Sequence, residues 1–305
     1  MGLTRREFVV LMGGGATALT FAPSRATSGF QGRYCFFSKH LPMLAGAALA
    51  DAVKRIGFDA IDLTVRPEGH IEPGRAREDL PRAVEAIRGR GIDVPMITTT
   101  LLSADDPTAR PILEAAAKSG VRFFKPGYYR YALSDVRAEI AATGRALAGL
   151  TQLGASLGIE LGFHNHEGYI GASLWDVAPE MDKLPPKSAG YYFDVRHAVV
   201  EGGSIGWKAA MRLVAPRLKM VAVKDFFWEK TNRGWRIHDC PLGEGMVDWK
   251  WYAKALAEAR FSGPLSMHLE YEIPGSTVDE QRARTLEAAE RDLRLIRQQL
   301  NDAYT

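Results

Sequence analysis

Cysteine is scarce in this chain, which has only Cys35 and Cys240. A disulfide framework is therefore excluded as the source of its stability. The two fall in different predicted elements, and two buried free thiols are expected rather than a bridge. An excess of one charge is lacking too: 39 Lys and Arg face 36 Asp and Glu, a formal net charge of +3. Basic residues are interspersed with acidic ones, so the chain has no stripe for nucleic acid. The apolar run at 9–16 is short and glycine-rich, unsuited to a permanent bilayer anchor. A doubly wound open sheet would carry a glycine-rich phosphate loop after its first strand, and the chain instead has His40-Leu41-Pro42-Met43 there.

What is present begins with Thr4-Arg5-Arg6-Glu7-Phe8, followed by that apolar run and a small-residue region ending near Ala26. This order is the pattern of a twin-arginine export signal. It predicts cleavage near Ala26, the export machinery as a partner, and a periplasmic or otherwise exported mature protein. Residues 1–29 are accordingly assigned to the signal and a short linker, and 30–305 to one folded domain. The twin-arginine route carries proteins already folded, often with a cofactor in place, which favours a metal or other cofactor.

From position 33 onward, short apolar runs alternate with longer amphipathic stretches. Strands are expected at 33–37, 59–65, 92–99, 121–126, 159–166, 190–195, 218–226 and 265–271. Helices are expected at 42–56, 77–90, 107–119, 134–157, 174–181, 204–215, 248–260 and 277–300. Gly57, Gly91, Gly120 and Gly158 stand where helices should stop. Eight strand-then-helix units make an α/β chain of the (β/α)8 TIM-barrel type, in a single domain. The period of about 30 residues belongs to the βαβ unit, since no residue signature recurs with it.

A barrel of this kind concentrates its chemistry where strands end. The fifth predicted strand runs through Gly158-Ile159-Glu160-Leu161-Gly162-Phe163-His164-Asn165-His166-Glu167-Gly168. Alternation along a strand puts His164 and His166 on one face, about 6–7 Å apart, with Asn165 and Glu167 on the other. The sixth strand ends in Asp194, Arg196 and His197, the seventh in Lys224 and Asp225, and the eighth in His268, Glu270 and Glu272. Asp62 and Lys125 come from strands two and four. Such a cluster is costly to bury unless its charges are paired or hold a cation. Imidazole and carboxylate together suit Mn, Fe, Co or Zn better than Mg or Ca. A metal-free, salt-bridged network of Lys224, Asp194, Asp225 and Glu270 is the alternative.

Several runs carry a resemblance. Gly57-Phe58-Asp59-Ala60-Ile61-Asp62-Leu63, Phe193-Asp194-Val195-Arg196-His197-Ala198, Val223-Lys224-Asp225 and Pro241-Leu242-Gly243-Glu244-Gly245-Met246-Val247-Asp248 resemble the sugar phosphate isomerase/epimerase family of the xylose-isomerase-like barrel superfamily. The likeness covers essentially all of the chain after the export signal. In ketose epimerases of that group, Glu, Asp, His and Glu from the ends of strands five to eight hold a metal. The two glutamates also exchange protons with the sugar carbon next to the carbonyl. Carried across by position, Asp194 is kept, His164 and His268 replace the glutamates, and Ala222 stands where the ligating His should be.

The resemblance therefore implies a divalent metal at His164, Asp194, His268 and Glu270, the last on the same face as His268. His166, Lys224 and Glu270 are the candidates for proton transfer. Arg196, His197, Asp225, Trp228, Trp235 and His238 are assigned to sugar binding: the first two at the site's rim, the tryptophans as stacking faces around a polar turn at 229–234. Tyr128, Tyr129 and Tyr131 are placed in the same cleft, and His238 with Asp239 could replace the ligand lost at Ala222. The expected function is that of an exported, metal-dependent enzyme acting on a sugar or keto-sugar. It would remove a proton next to a carbonyl, leading to epimerisation, isomerisation or elimination. The lost ligand makes a non-catalytic sugar-binding protein the alternative. DNA cleavage, as in endonuclease relatives, is disfavoured by export and by the lack of a phosphate track.

Overall fold

The computed structural model describes residues 29–305, so the expected export signal and its cleavage point near Ala26 lie outside the described residues. The strands, in chain order, are β1 (Tyr34–Phe37), β2 (Ala60–Val65), β3 (Asp93–Thr99), β4 (Phe123–Lys125), β5 (Glu160–His164), β6 (Ala189–Asp194), β7 (Leu218–Val223), β8 (Asp225–Thr231), β9 (Gly234–Cys240) and β10 (Leu265–Met267). All but β8 and β9 form one closed parallel barrel in the order β1-β10-β7-β6-β5-β4-β3-β2. The helices are α1 (Gly46–Arg55), α2 (Ala76–Arg88), α3 (Ala109–Lys118), α4 (Val136–Leu157), α5 (Ala178–Met181), α6 (Val195–Val214), α7 (Trp249–Glu258) and α8 (Val278–Ala303). One helix follows each barrel strand, and the expected (β/α)8 barrel is thereby borne out.

The local reasons are those of the sequence. β2 is buried along its whole length, as a parallel strand covered on both faces must be, with Ile61, Leu63 and Val65 on one face and the polar Asp62 and Thr64 on the other. The long helix α4 starts where the Asp135 carboxylate accepts from the Ala138 N–H and stops at Gly158, whose φ of 79° is left-handed. A side chain there would be strained, so glycine at that point both ends the helix and aims the chain into β5. The outer core lies between barrel and helices, while Met96, Phe123, Tyr192, Met220 and Ala222 form a small separate cluster. Each large side chain buried in this way contributes about 1.5–3 kcal/mol. Cys35 and Cys240 are both buried free thiols, as expected. Among the described residues, no helix is long and apolar enough to cross a membrane.

Three departures from the expected elements all bear on the site. β5 and β10 are shorter than expected, because the residues beyond His164 and Met267 leave the ladder and turn over the mouth. The helix expected at 204–215 begins at Val195 instead, directly after β6. Gly202 and Gly203 hide its first half in the sequence, and Gly203 is a true kink, with φ 55° and ψ −143°. Residues 225–240, expected to finish the seventh strand and then loop, form the antiparallel hairpin β8–β9, in register from Asp225 with Cys240 to Thr231 with Gly234.

Candidate functional site

The C-terminal ends of β5, β6 and β7 meet at one carboxylate. Asp194 is the last residue of β6 and also the N-cap of α6, its Oδ1 accepting the His197 N–H at 3.1 Å. Asn165, which faces away from His164 as alternation requires, grips the Asp194 backbone from both sides, accepting its N–H at 2.8 Å and donating to its carbonyl at 3.0 Å. The other oxygen, Oδ2, is thus held facing the barrel axis. It lies 3.1 Å from His164 Nε2, 3.2 Å from Lys224 Nζ and 3.7 Å from His197 Nε2. Lys224 in turn donates to His197 Nε2 at 2.6 Å.

All four of these groups are buried. Burial alone would push the Asp194 carboxyl up, but the Lys224 ammonium and the His164 hydrogen bond outweigh it and hold the carboxyl well below the usual carboxylate range. His164 is pushed down to about 3 by burial, against the pull of Asp194, and His197 is likewise driven well below 6.5, first by burial and then by Lys224. Both imidazoles are therefore neutral near pH 7, the form in which they can ligate.

Among the described residues, His164, Asp194 and His197 offer donor atoms that all lie within 4.8 Å of one another. Their outer nitrogens are supported as ligating histidines usually are. His164 Nδ1 is hydrogen-bonded to the Tyr128 hydroxyl at 3.0 Å, and His197 Nδ1 touches the Glu167 carboxylate. The donor set is thus of the right kind for a first-row divalent metal. It differs from the expected set by having His197 in place of His268 and Glu270. Ala222, paired with Asp194 in the ladder and wholly buried, leaves a methyl where the expected fourth ligand would stand. The Lys224 ammonium already supplies positive charge at the focus, so a metal could enter only by displacing it.

Above this group lies a cavity of about 200 Å3. That is below the roughly 300–1,000 Å3 of drug-sized pockets and suits one small polar molecule. His166, Lys224, His268 and Glu270 line it, together with Arg196, His197 and Asp239. His166 is half-buried; burial pushes it down to about 4, and its Nδ1 is engaged with the Glu167 carbonyl at 2.9 Å, which leaves Nε2 free. The two histidines of the fifth strand, at ring centroids 6.5 Å apart, share a face as expected. Glu167 does not stay on the opposite face. The strand ends at His164, and the chain turns at Gly168, bringing Glu167 back against Arg196 at 2.5 Å.

His268 and Glu270 sit on the far wall, outside the convergent group. His268 is stacked on Phe37, with centroids 4.3 Å apart, and Glu270 is paired with Lys39 at 2.6 Å. Burial would raise the Glu270 carboxyl, yet the Lys224 and Lys39 ammonium groups hold it far below its ordinary value. Arg196 and His197 are not on the rim; the early start of α6 buries both, and Arg196 is clamped to Asp239 at 2.6 Å.

Asp225, Trp228, Trp235 and His238 do not border the cavity. Asp225 is spent on structure, accepting from the N–H groups of Phe226, Gly243, Gly245 and Val247 and from Trp249 Nε1. It anchors the Pro241–Asp248 run that carries the family likeness. Trp228 and Trp235 are exposed on the hairpin, and His238 pairs with Glu229 at 3.1 Å and stacks on Phe227. Phe227 and His238 border a larger, shallow groove of about 770 Å3 beside α8, which holds no convergent histidines. Phe37, Lys39, Arg66 and Thr98 also line the small cavity and are not among the site residues expected from the sequence. Lys39 and Arg66 follow β1 and β2 closely, so the rule that polar residues at strand ends matter would have found them.

Residues 50–299 match the xylose isomerase-like TIM barrel family, and the chain belongs to that family. No curated protein matches the sequence. Among solved structures, D-psicose 3-epimerase from Clostridium cellulolyticum H10, seen with D-tagatose, is similar at TM-score 0.65 and 14% identity, over 88% of this chain and 99% of that one. D-allulose 3-epimerase from a Methylomonas species, seen with D-allulose, gives 0.64 and 17%, over 90% and 100%. A xylose isomerase-like TIM barrel protein from Mycobacterium smegmatis, in complex with magnesium, gives 0.63 and 14%, over 88% and 97%. At such identities the likeness establishes the fold.

Proposed function

We propose that this protein is an epimerase- or isomerase-like enzyme for a small neutral sugar or keto-sugar, removing a proton next to a carbonyl. The observation that carries the reading is the convergence of His164, Asp194 and His197 beneath a small cavity lined by His166, Lys224, His268 and Glu270. Lys39, Arg66, Arg196 and Lys224 are matched there by Glu167, Asp239, Glu270 and the underlying Asp194. A balanced set of charges favours a neutral polyol over a phosphate ester. The epimerases of similar fold, seen with D-tagatose and D-allulose, point the same way.

In this reading His166 takes the proton through its free Nε2, being neutral at working pH and next to the cavity. Lys224, released from Asp194 and His197 where a metal is held there, would keep its ammonium in the cavity it lines, where the enediolate oxygen develops. His164, Asp194 and His197 would hold a divalent metal, with Mn, Fe, Co or Zn favoured over Mg by their nitrogen-rich donor set. Such a metal, when bound, polarises the carbonyl. Export through the twin-arginine signal, with cleavage near Ala26, completes the proposal.

Solvent deuterium incorporation into a panel of ketohexoses, followed by NMR, tests the reaction; no exchange with any of them would remove it. Metal analysis of protein purified without chelator tests the metal, and a content near zero would exclude it. A second reading, a non-catalytic sugar-binding protein, is favoured by Ala222 and by the Lys224 ammonium at the focus. It requires binding with neither exchange nor turnover.

A further inference from the structure

Beneath the far wall of the cavity, a buried carboxylate and a phenol are joined to His268. Tyr192, on β6, has its hydroxyl 3.1 Å from Asp62 Oδ2 and 3.1 Å from His268 Nε2. Among the described residues, no basic side chain is bonded to Asp62, on β2. Its oxygens are served by three hydroxyls: Thr98 donates to Oδ1 at 2.8 Å, and Ser266 at 2.9 Å and Tyr192 both donate to Oδ2. All of these residues are buried.

The hydrogen-bonding inventory decides the direction of each bond. A carboxylate only accepts, so the single Tyr192 proton goes to Asp62. Burial pushes the Asp62 carboxyl up to about 6, the three hydroxyls opposing, so the group is still a carboxylate at neutral pH. The phenolic oxygen can then only accept from His268, which must carry its proton on Nε2. Phe37, stacked on the ring at 4.3 Å, opposes a turn that would escape this, and the backbone N–H of His268 is fixed to the Val223 carbonyl at 3.0 Å. Nδ1 is left without a proton. It lies 3.9 Å from Glu270 Oε1, a carboxylate that would otherwise draw the proton to that side.

We infer that Asp62 and Tyr192 fix His268 as its Nε2–H tautomer and so present the bare Nδ1 to the cavity. His268 is then a proton acceptor on the wall opposite His166, and Asp62 and Tyr192 are positioning residues that act through it. Two such groups on different walls suit an epimerisation: His166 Nε2 takes the proton from one face of the carbon, and His268 Nδ1, having first taken a proton from water, delivers that one to the opposite face, while His166 passes its own to water. For that use the inference rests on the proposed function; for its geometry it does not.

The test reads the tautomer directly, by long-range 1H–15N correlation of 15N-histidine-labelled protein near pH 7.5 without substrate. Wild type should give Nε2–H at His268. Tyr192→Phe, nearly isosteric, removes the acceptor for that proton, and Glu270 should draw it to Nδ1. Asp62→Asn should shift the tautomer in the same direction, since its amide can donate to the phenol. Ser266→Ala removes a donor from Asp62 yet leaves Tyr192 committed, so the tautomer should stay. Where solvent exchange into a ketohexose is measurable, it should fall about 10²-fold in Tyr192→Phe, with KM little changed. An Nδ1–H tautomer in wild type, or an undisturbed Nε2–H tautomer in Tyr192→Phe, overturns the inference. Wild type that exchanges no sugar proton would overturn the proposed function instead, and the tautomer would still be read.

Discussion

The two ends of the barrel use the same ionisable residue types in opposite ways. At the N-terminal end, Glu160 at the start of β5 is held by Arg122 at 2.9 Å and Lys219 at 2.5 Å, and Arg88 pairs with Asp93 at 3.0 Å. These charges sit near solvent, with opposite signs in contact, and the Arg122 side chain is 67% exposed. At the C-terminal mouth, Asp194, Lys224, His164 and His197 are buried, with Asp194 touching each of the other three and Lys224 touching His197 as well. Charges at the floor can be lost singly because water replaces the partner. At the mouth these groups are almost wholly withdrawn from solvent, so the loss of one leaves its partners poorly compensated.

Substitution at Asp194 should separate the two ends most. Asp194→Ala strands a buried ammonium, and urea denaturation should show a loss of about 3–5 kcal/mol together with complete loss of proton exchange. A loss under about 1 kcal/mol would mean that the mouth is as forgiving as the floor. Next in size is His166→Ala, expected to lower exchange about 10²–10⁴-fold while the melting temperature stays nearly unchanged, because the ring is half-buried and bonds only to a neighbouring carbonyl. If exchange survives, the free Nε2 is not the acceptor.

Acid should distinguish the ends more gently. Burial first of all lowers His40 and His166 from 6.5 to about 4 in the folded protein. The unfolded chain then binds protons in that window that the folded one refuses, so stability is fully present above about pH 6.5 and falls as pH drops towards 4. Melting curves between pH 7.5 and 4.5 should show this slope, reduced in His40→Asn; a flat profile contradicts it. The smallest effect is expected at the floor, where Arg122→Ala should cost roughly 0–1 kcal/mol by the same denaturation measurement.

The legibility of the molecule follows the same division. The barrel was readable because each βα unit carries local signals: apolar strands, amphipathic helices, and a glycine such as Gly158 at the stop. His164 and His166 were readable as neighbours because alternation is a local geometric rule. The start of α6 is hidden because Gly202 and Gly203 look like a boundary, although Asp194 followed by Val195, Arg196 and His197 is a sound capping signal. With a boundary at those glycines His197 would fall on the rim, whereas the first turn of the helix carries it into the group around Asp194. The hairpin had its own signal too, in aromatic and β-branched runs on either side of a turn closed by Gly234. Its consequence is that Asp239 clamps Arg196 over the site while Trp228 and Trp235 face solvent.

By itself the sequence determined the fold class, the end of the barrel where chemistry would gather, and most of the residue types found there, because these depend on short-range periodicity and capping. Which side chains face one another across the mouth was decided by the tertiary structure alone. His197 rather than His268 completes the group around Asp194, Glu270 turns to Lys39, and Asp225 is spent on a loop. Those outcomes depend on where strands stop, on how a closed barrel rotates each strand against its neighbours, and on which buried charges find a partner first. None of these quantities is local along the chain.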